Sequence, residues 1–217
     1  FVVLIVNFLA FLFALLLIDF SQIFFSWHWF AFMAAGISSP AISLFFLYRS
    51  ISHFGVAPTN ALVNSHAFFG PLLAIFILGE RPHPALWFGI ALLLVGVWFL
   101  MGGRDLREKL KYIWIPLMSA LAFALAHNLR KIGFGGMDSL LFGGFLQGAS
   151  AVLVGPFILK LATGGRAYVF NRKSILFFLI AGLAMSFALF SLLFALRGGR
   201  VSLVGPIMAT GPLFALI

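Results

Sequence analysis

The sequence predicts an all-α, polytopic membrane helix bundle, and three observations carry that class. Apolar residues make up 63% of the 217 and charged residues 9%, too few to clothe a soluble core of this size. Apolar runs recur at about the 20 residues that a helix needs to cross the bilayer core. The basic residues behind the formal charge of +9 lie in short breaks between those runs, as membrane-flanking charge does. That placement argues against nucleic acid as a partner and for the lipid bilayer. The chain has no cysteine, so disulfides and thiolate metal sites are excluded.

Spans are expected near 1–18, 26–48, 56–79, 84–101, 112–130, 139–160, 174–196 and 201–217, about eight helices in all. The first lacks a basic leading region and a small-residue cleavage site, so it reads as a span rather than a signal peptide. In the second, Ser38, Ser39 and Ser43 surround Pro40, and hydroxyls there can satisfy carbonyls freed by a kink. The third holds AFFGPLLAIFILGERP, with Pro71 in mid-run. Proline removes a backbone donor and clashes with the preceding turn, which predicts a hinge. Glu80 and Arg81 close that span as a structural turn into Pro82 and Pro84. Glu80 stands at a helix C-terminus, where the dipole disfavours it, so Arg81 or a nearby backbone amide is expected as its partner. Trp27, Trp29, Trp87, Trp98 and Trp114 sit near segment ends, as an interfacial belt would. Asp138 reads as the N-cap of the helix that follows it.

The chain also repeats itself. Setting Pro71 against Pro212 matches Leu62 with Leu203, Val63 with Val204, Gly70 with Gly211, Leu72 with Leu213 and Ala74 with Ala215. Two units follow, 1–103 and 111–217, the first lacking its opening helix and the second its closing one. Both ends read as cut inside helices, and the intact chain is expected to hold two inverted five-helix repeats. An odd number of spans per unit turns the second copy upside down, the plan of many secondary transporters.

The run Asn60-Ala-Leu-Val, Gly70-Pro71-Leu-Leu-Ala, Leu78-Gly79-Glu80-Arg81, Gly89 and Gly96-Val97 resembles the EamA repeat of the drug/metabolite transporter superfamily. The second copy starts in the same way, with Gly199-Arg200-Val-Ser-Leu-Val-Gly-Pro and then Gly211-Pro212-Leu. The resemblance covers essentially the whole chain. It implies a ten-helix permease or exporter of small metabolites, such as amino acids or drug-like solutes, in the cell (inner or plasma) membrane. Alternating access around a midplane cavity is the expected mechanism, with a small-molecule solute as partner and no enzymatic chemistry.

Polar groups inside spans are costly and so are candidates for the solute path. Asn60 and Asn64 lie four apart on one helical face that continues towards Pro71; their amides suit a zwitterion or sugar-like solute, or serve as interhelical glue. His66 lies near the opposite face and reads as packing. Gln147, well inside GGFLQGA, is a stronger candidate, and Ser186 sits where the second copy aligns with Pro40 and its serines. Gly144 and Gly148 permit close helix approach, within the bundle or across a homodimer face. Asn128, beside His127, is expected as an interfacial, solvated residue, while the resemblance favours an inward role for its helix. Tyr48 either covers the cavity or belongs to the belt. Pro40, Pro71 and Pro212 are the expected hinges.

Orientation has two conflicting indicators. Arg81, Arg130, Lys131, Arg197 and Arg200 lie on one side, while the 102–111 and 163–173 loops make the other side more basic. Positive-inside counting puts those two loops in the cytoplasm, and the resemblance implies the reverse. No Gly-x-x-x-x-Gly-Lys-Ser/Thr loop, His-Glu-x-x-His or Gly-x-Ser-x-Gly occurs, and no cofactor or metal is expected.

Overall fold

An apolar chain in hydrocarbon must satisfy its backbone internally, which favours helix throughout. The computed structural model describes residues 26–100, 110–163 and 172–210, together with residues 5, 8, 9 and 12, and every extended element among them is helical. The helices are α1 (His28–Gly36), α2 (Ser43–Phe54), α3 (Val56–Val63), α4 (His66–Leu78), α5 (Pro84–Leu100), α6 (Trp114–Phe134), α7 (Leu140–Thr163), α8 (Arg172–Gly198) and α9 (Val201–Met208). Four stretches are long and apolar enough to cross a membrane: His28–Phe54, Val56–Leu78, Leu140–Ile158 and Ile175–Gly198. The protein thus has the make-up of an integral membrane protein. Most of the expected first span, and the positions of Pro212 and its neighbours, lie outside the described residues.

The stops between helices follow from local chemistry. Gly55 and Gly79 take positive φ, 82° and 65°, a region glycine enters at little cost. At Gly79 the left-handed turn lets the Glu80 amide reach the Ala74 carbonyl at 3.1 Å, a Schellman-type finish. Pro84 then opens α5, where its missing N–H is no loss. At the start of α7 the capping oxygen belongs to Ser139, whose hydroxyl accepts from the Phe142 amide at 3.3 Å. Asp138, expected as that cap, lies one residue too early and instead pairs with Arg197 at 3.5 Å on the surface.

The chain folds as two compact units, Phe1–Ala41 with Leu129–Gly198, and Ile42–Asn128 with Gly199–Ile217. Each draws on both halves of the sequence.

In the first unit, α1 packs along α7, and α7 along α8. The approach of α1 to α7 is close enough that a Cβ on Gly36 would collide with the Gln147 carbonyl and the Ser150 hydroxyl. Phe32, fully buried, fills the slot left by the missing side chains of Gly133 and Gly143 and meets the Phe134 ring edge-on at 5.0 Å. Phe8 lies over Gly148 and against Phe145, with ring centroids 5.7 Å apart, so this glycine serves packing inside the unit. The outer side of α8 leaves Phe177, Leu183, Phe187 and Phe194 exposed, an apolar surface suited to lipid.

In the second unit, α2 packs on α3, α3 on α5, and α9 on α4. Ser50 and Thr59 share a buried hydroxyl–hydroxyl bond of 3.0 Å between α2 and α3, and Ser119 of α6 donates to the Ser43 carbonyl at 2.9 Å.

The interruptions depart from the expected hinges. α4 runs through Pro71 without a break, and the helix is instead interrupted at Asn64-Ser65, where i−3 bonds replace i−4 bonds. Proline removes only its own donor, so a continuous helix survives it when packing holds the preceding turn. At Pro40 the break is real: Ser39 takes extended backbone angles (φ −146°, ψ 120°), the conformation forced on a residue before proline. The α3–break–α4 pattern has a parallel in α9, which is also eight residues long and ends in a turn at Ala209-Thr210. Starting the comparison at Val56 and Val201 places Pro212 opposite Ala67, four residues away from the register that pairs it with Pro71.

Candidate functional site

Two polar clusters stand out, one in each unit, and both involve residues that sequence patterning undervalues. In the first unit the centre is Arg130. The expected span ended at residue 130, which assigned Arg130 to a loop; α6 continues to Phe134, and Arg130 is 2% exposed. Its Nε donates to Gln147 Oε1 at 2.7 Å, and its Nη2 donates to the Ser39 carbonyl at 3.2 Å. The guanidinium therefore meets the carbonyl at the Pro40 kink, a role expected of nearby serine hydroxyls. A planar, permanently charged fork suits this job, since it reaches two acceptors on different helices at once.

Gln147 is itself fully buried. Its oxygen faces Arg130, which fixes the amide's orientation, and its Nε2 is a buried donor without an acceptor. Ser150, one turn further along α7, lies 2.8 Å from the Met33 carbonyl and 2.9 Å from that of Gln147. Lys131 donates to the carbonyls of Leu196 and Arg197 at 3.0 and 3.4 Å, placing a cation on the negative end of the α8 dipole. Ser186 is buried on α8 and donates back to the Gly182 carbonyl at 2.8 Å.

In the second unit the principal group is Glu80. The turn at Gly79 aims its carboxylate at the start of α9, whose N-cap residue Arg200 offers no side-chain cap. Glu80 Oε1 accepts from the Val201 amide at 2.9 Å and Oε2 from the Ser202 amide at 3.0 Å. A helix start leaves its first amides without intrahelical partners and carries partial positive charge, so a carboxylate from a neighbouring segment satisfies both demands. Arg81 is exposed. Because the C-terminal end of α4 meets the N-terminal end of α9 while the two pack side by side, they run antiparallel.

The other expected residues of this unit divide by depth. Asn128 and His127 are buried, at 0% and 2% exposure, and not interfacial, because the extra turn of α6 carries them inward. Asn128 Nδ2 donates to Ala124 at 2.9 Å and to Gly70 at 3.2 Å, while its Oδ1 has no donor. His66 Nδ1 donates to the Val63 carbonyl at 3.0 Å, closing the Asn64-Ser65 break, and its ring lies 5.9 Å from that of His127. Asn60 is exposed near the end of α3, and the Asn64 amide still donates to the Asn60 carbonyl at 3.0 Å, so the two stay one turn apart, while the break after Asn64 separates that turn from the Pro71 stretch. Tyr48 is 56% exposed. An apolar groove beside α5, lined by Leu86, Gly89, Ile90, Pro206 and Thr210, offers little to a polar solute.

The described structure thus joins Gln147 to Ser39 through Arg130, with Ser186 separately placed in the same unit. Asn60, Asn64, Asn128 and Tyr48 belong to the other unit. Arg130 carries a signal that helical spacing could have revealed. It continues the stripe of Ile115, Ser119, Ala122 and Ala126, all buried, at the three- and four-residue steps of one helix face. Comparison with family models, with curated proteins and with solved structures found no match.

Proposed function

We propose that the chain is a secondary transporter, a multi-pass permease or exporter of small metabolites such as amino acids or drug-like solutes, working by alternating access in the cell membrane. The EamA-like motifs supply the expectation. The observation that carries it is the antiparallel run of α9 against α4, tied by the Glu80 carboxylate; α4 continues the Val56–Leu78 span, which the sequence repeat matches to α9 at Leu62 with Leu203 and Val63 with Val204. Oppositely directed copies are what two inverted five-helix repeats require, and that plan belongs to secondary transporters. Interrupted helices at Ser39 and Asn64-Ser65 fit the same plan, in which spans are broken near the site; here the freed carbonyls of Ser39 and Val63 are held by Arg130 and His66. Buried polar groups in an apolar bundle add support, since such groups are costly unless they serve packing or passage.

The test is flux. Full-length protein reconstituted into vesicles, assayed with a panel of labelled metabolites, is expected to move at least one of them faster than protein-free vesicles. Flux at the protein-free rate for every solute would favour the competing reading, a non-transporting membrane scaffold or an intramembrane enzyme.

A further inference from the structure

We propose that the Arg130–Gln147 pair receives the carboxylate of an anionic solute, with Gln147 Nε2 as donor and the Arg130 charge as the stabilising field. The inference rests on the transport reading above and names its substrate class.

Arg130 Nε donates to Gln147 Oε1 at 2.7 Å. Reversing the amide would set two donors against each other, so Nε2 is the outward end. That end is buried without an acceptor, inside a residue with no exposed surface. Most buried side-chain polar atoms have a partner, and the other described amide at such depth with an open end, Asn128, leaves an acceptor and not a donor. Here one end is held by the Arg130 guanidinium and the other is left as an oriented donor. A neutral acceptor would satisfy the donor alone. An anion satisfies the donor and also meets the positive field, which is strong where water is scarce, and hydrogen bonds to ionised acceptors are about twice as strong as neutral ones.

A carboxylate fits better than a phosphate dianion, which calls for more donors and more positive charge than one amide beside one guanidinium supplies. The contact of Arg130 Nη2 with the Ser39 carbonyl couples this pair to the Pro40 kink. Stapling that kink does not account for the unpaired amide donor beside it. Gly36 brings α1 within backbone contact of Gln147, so the pair is screened from lipid by packed helix.

The experiment uses full-length protein in vesicles and a panel of labelled carboxylic acids, amino acids included, each beside its primary amide, with inorganic phosphate as a further arm. Acids are expected to move and their amides not. Gln147→Glu sets a fixed carboxylate against Arg130, in the solute's place; it should lower acid flux at least tenfold while thermal stability in detergent is kept or raised. Arg130→Lys, which retains charge, should keep part of the flux. If the Glu variant fails to insert, Gln147→Met, which removes the donor at similar volume, should give the same loss. Wild-type flux in Gln147→Glu overturns the proposal, as do amides that move as fast as acids or phosphate carried in preference to every acid. Any of these results leaves transport standing; movement of no solute at all removes the transport reading and this one together.

Discussion

The two interrupted spans solve one problem in different ways. At Ser39-Pro40 the backbone leaves the helix, and the Ser39 carbonyl is taken by Arg130, 91 residues away in sequence. At Asn64-Ser65 the helix tightens, and the Val63 carbonyl is taken by His66, three residues away. The first interruption depends on tertiary structure, whereas the second is repaired within its own turn. Proline does not decide between them, since Pro71 sits inside a continuous α4. What decides is the partner available to a carbonyl that the helix no longer uses.

That contrast orders the effects of substitution. Arg130→Leu should be the most damaging, because it strands both Gln147 Oε1 and the Ser39 carbonyl. Each buried group left unpaired costs about 1–3 kcal/mol, a loss readable as a lower thermal midpoint in detergent; an unchanged midpoint would mean that the kink needs no remote partner. Glu80→Ala should come next, at about 0.5–2 kcal/mol, the usual cost of a lost helix cap. Glu80→Gln, which keeps one accepting oxygen, should recover part of that, and equal losses would show that charge and not capping is at work. His66→Ala should cost about 0.5–1.5 kcal/mol, the net worth of one hydrogen bond; a loss as large as that of Arg130→Leu would erase the difference between local and remote repair. Asp138→Asn should be nearly silent, since its exposed pair with Arg197 belongs to a class worth about 0–1 kcal/mol.

Helical class and the four spans His28–Phe54, Val56–Leu78, Leu140–Ile158 and Ile175–Gly198 were legible because both depend on composition and run length. The caps were legible in part: the Glu80 reading foresaw a nearby amide, but the identity of α9 as its owner is a tertiary fact. Arg130 was misplaced because a basic residue at the end of an apolar run ordinarily marks the interface. Only the inward stripe through Ser119 and Ala126 argues otherwise. The Asn64-Ser65 break was hidden for a related reason. Proline is a strong local signal, whereas asparagine and serine at a break are weak ones whose effect depends on what packs around them.

Access offers the most direct measurement of the account. The 217-residue sequence has no cysteine, so Gln147→Cys introduces a thiol unique within it. Alternating access predicts that a membrane-impermeant maleimide labels this thiol when added to either face of the vesicles. Labelling from one face alone, whatever the solute and however long the exposure, would contradict it.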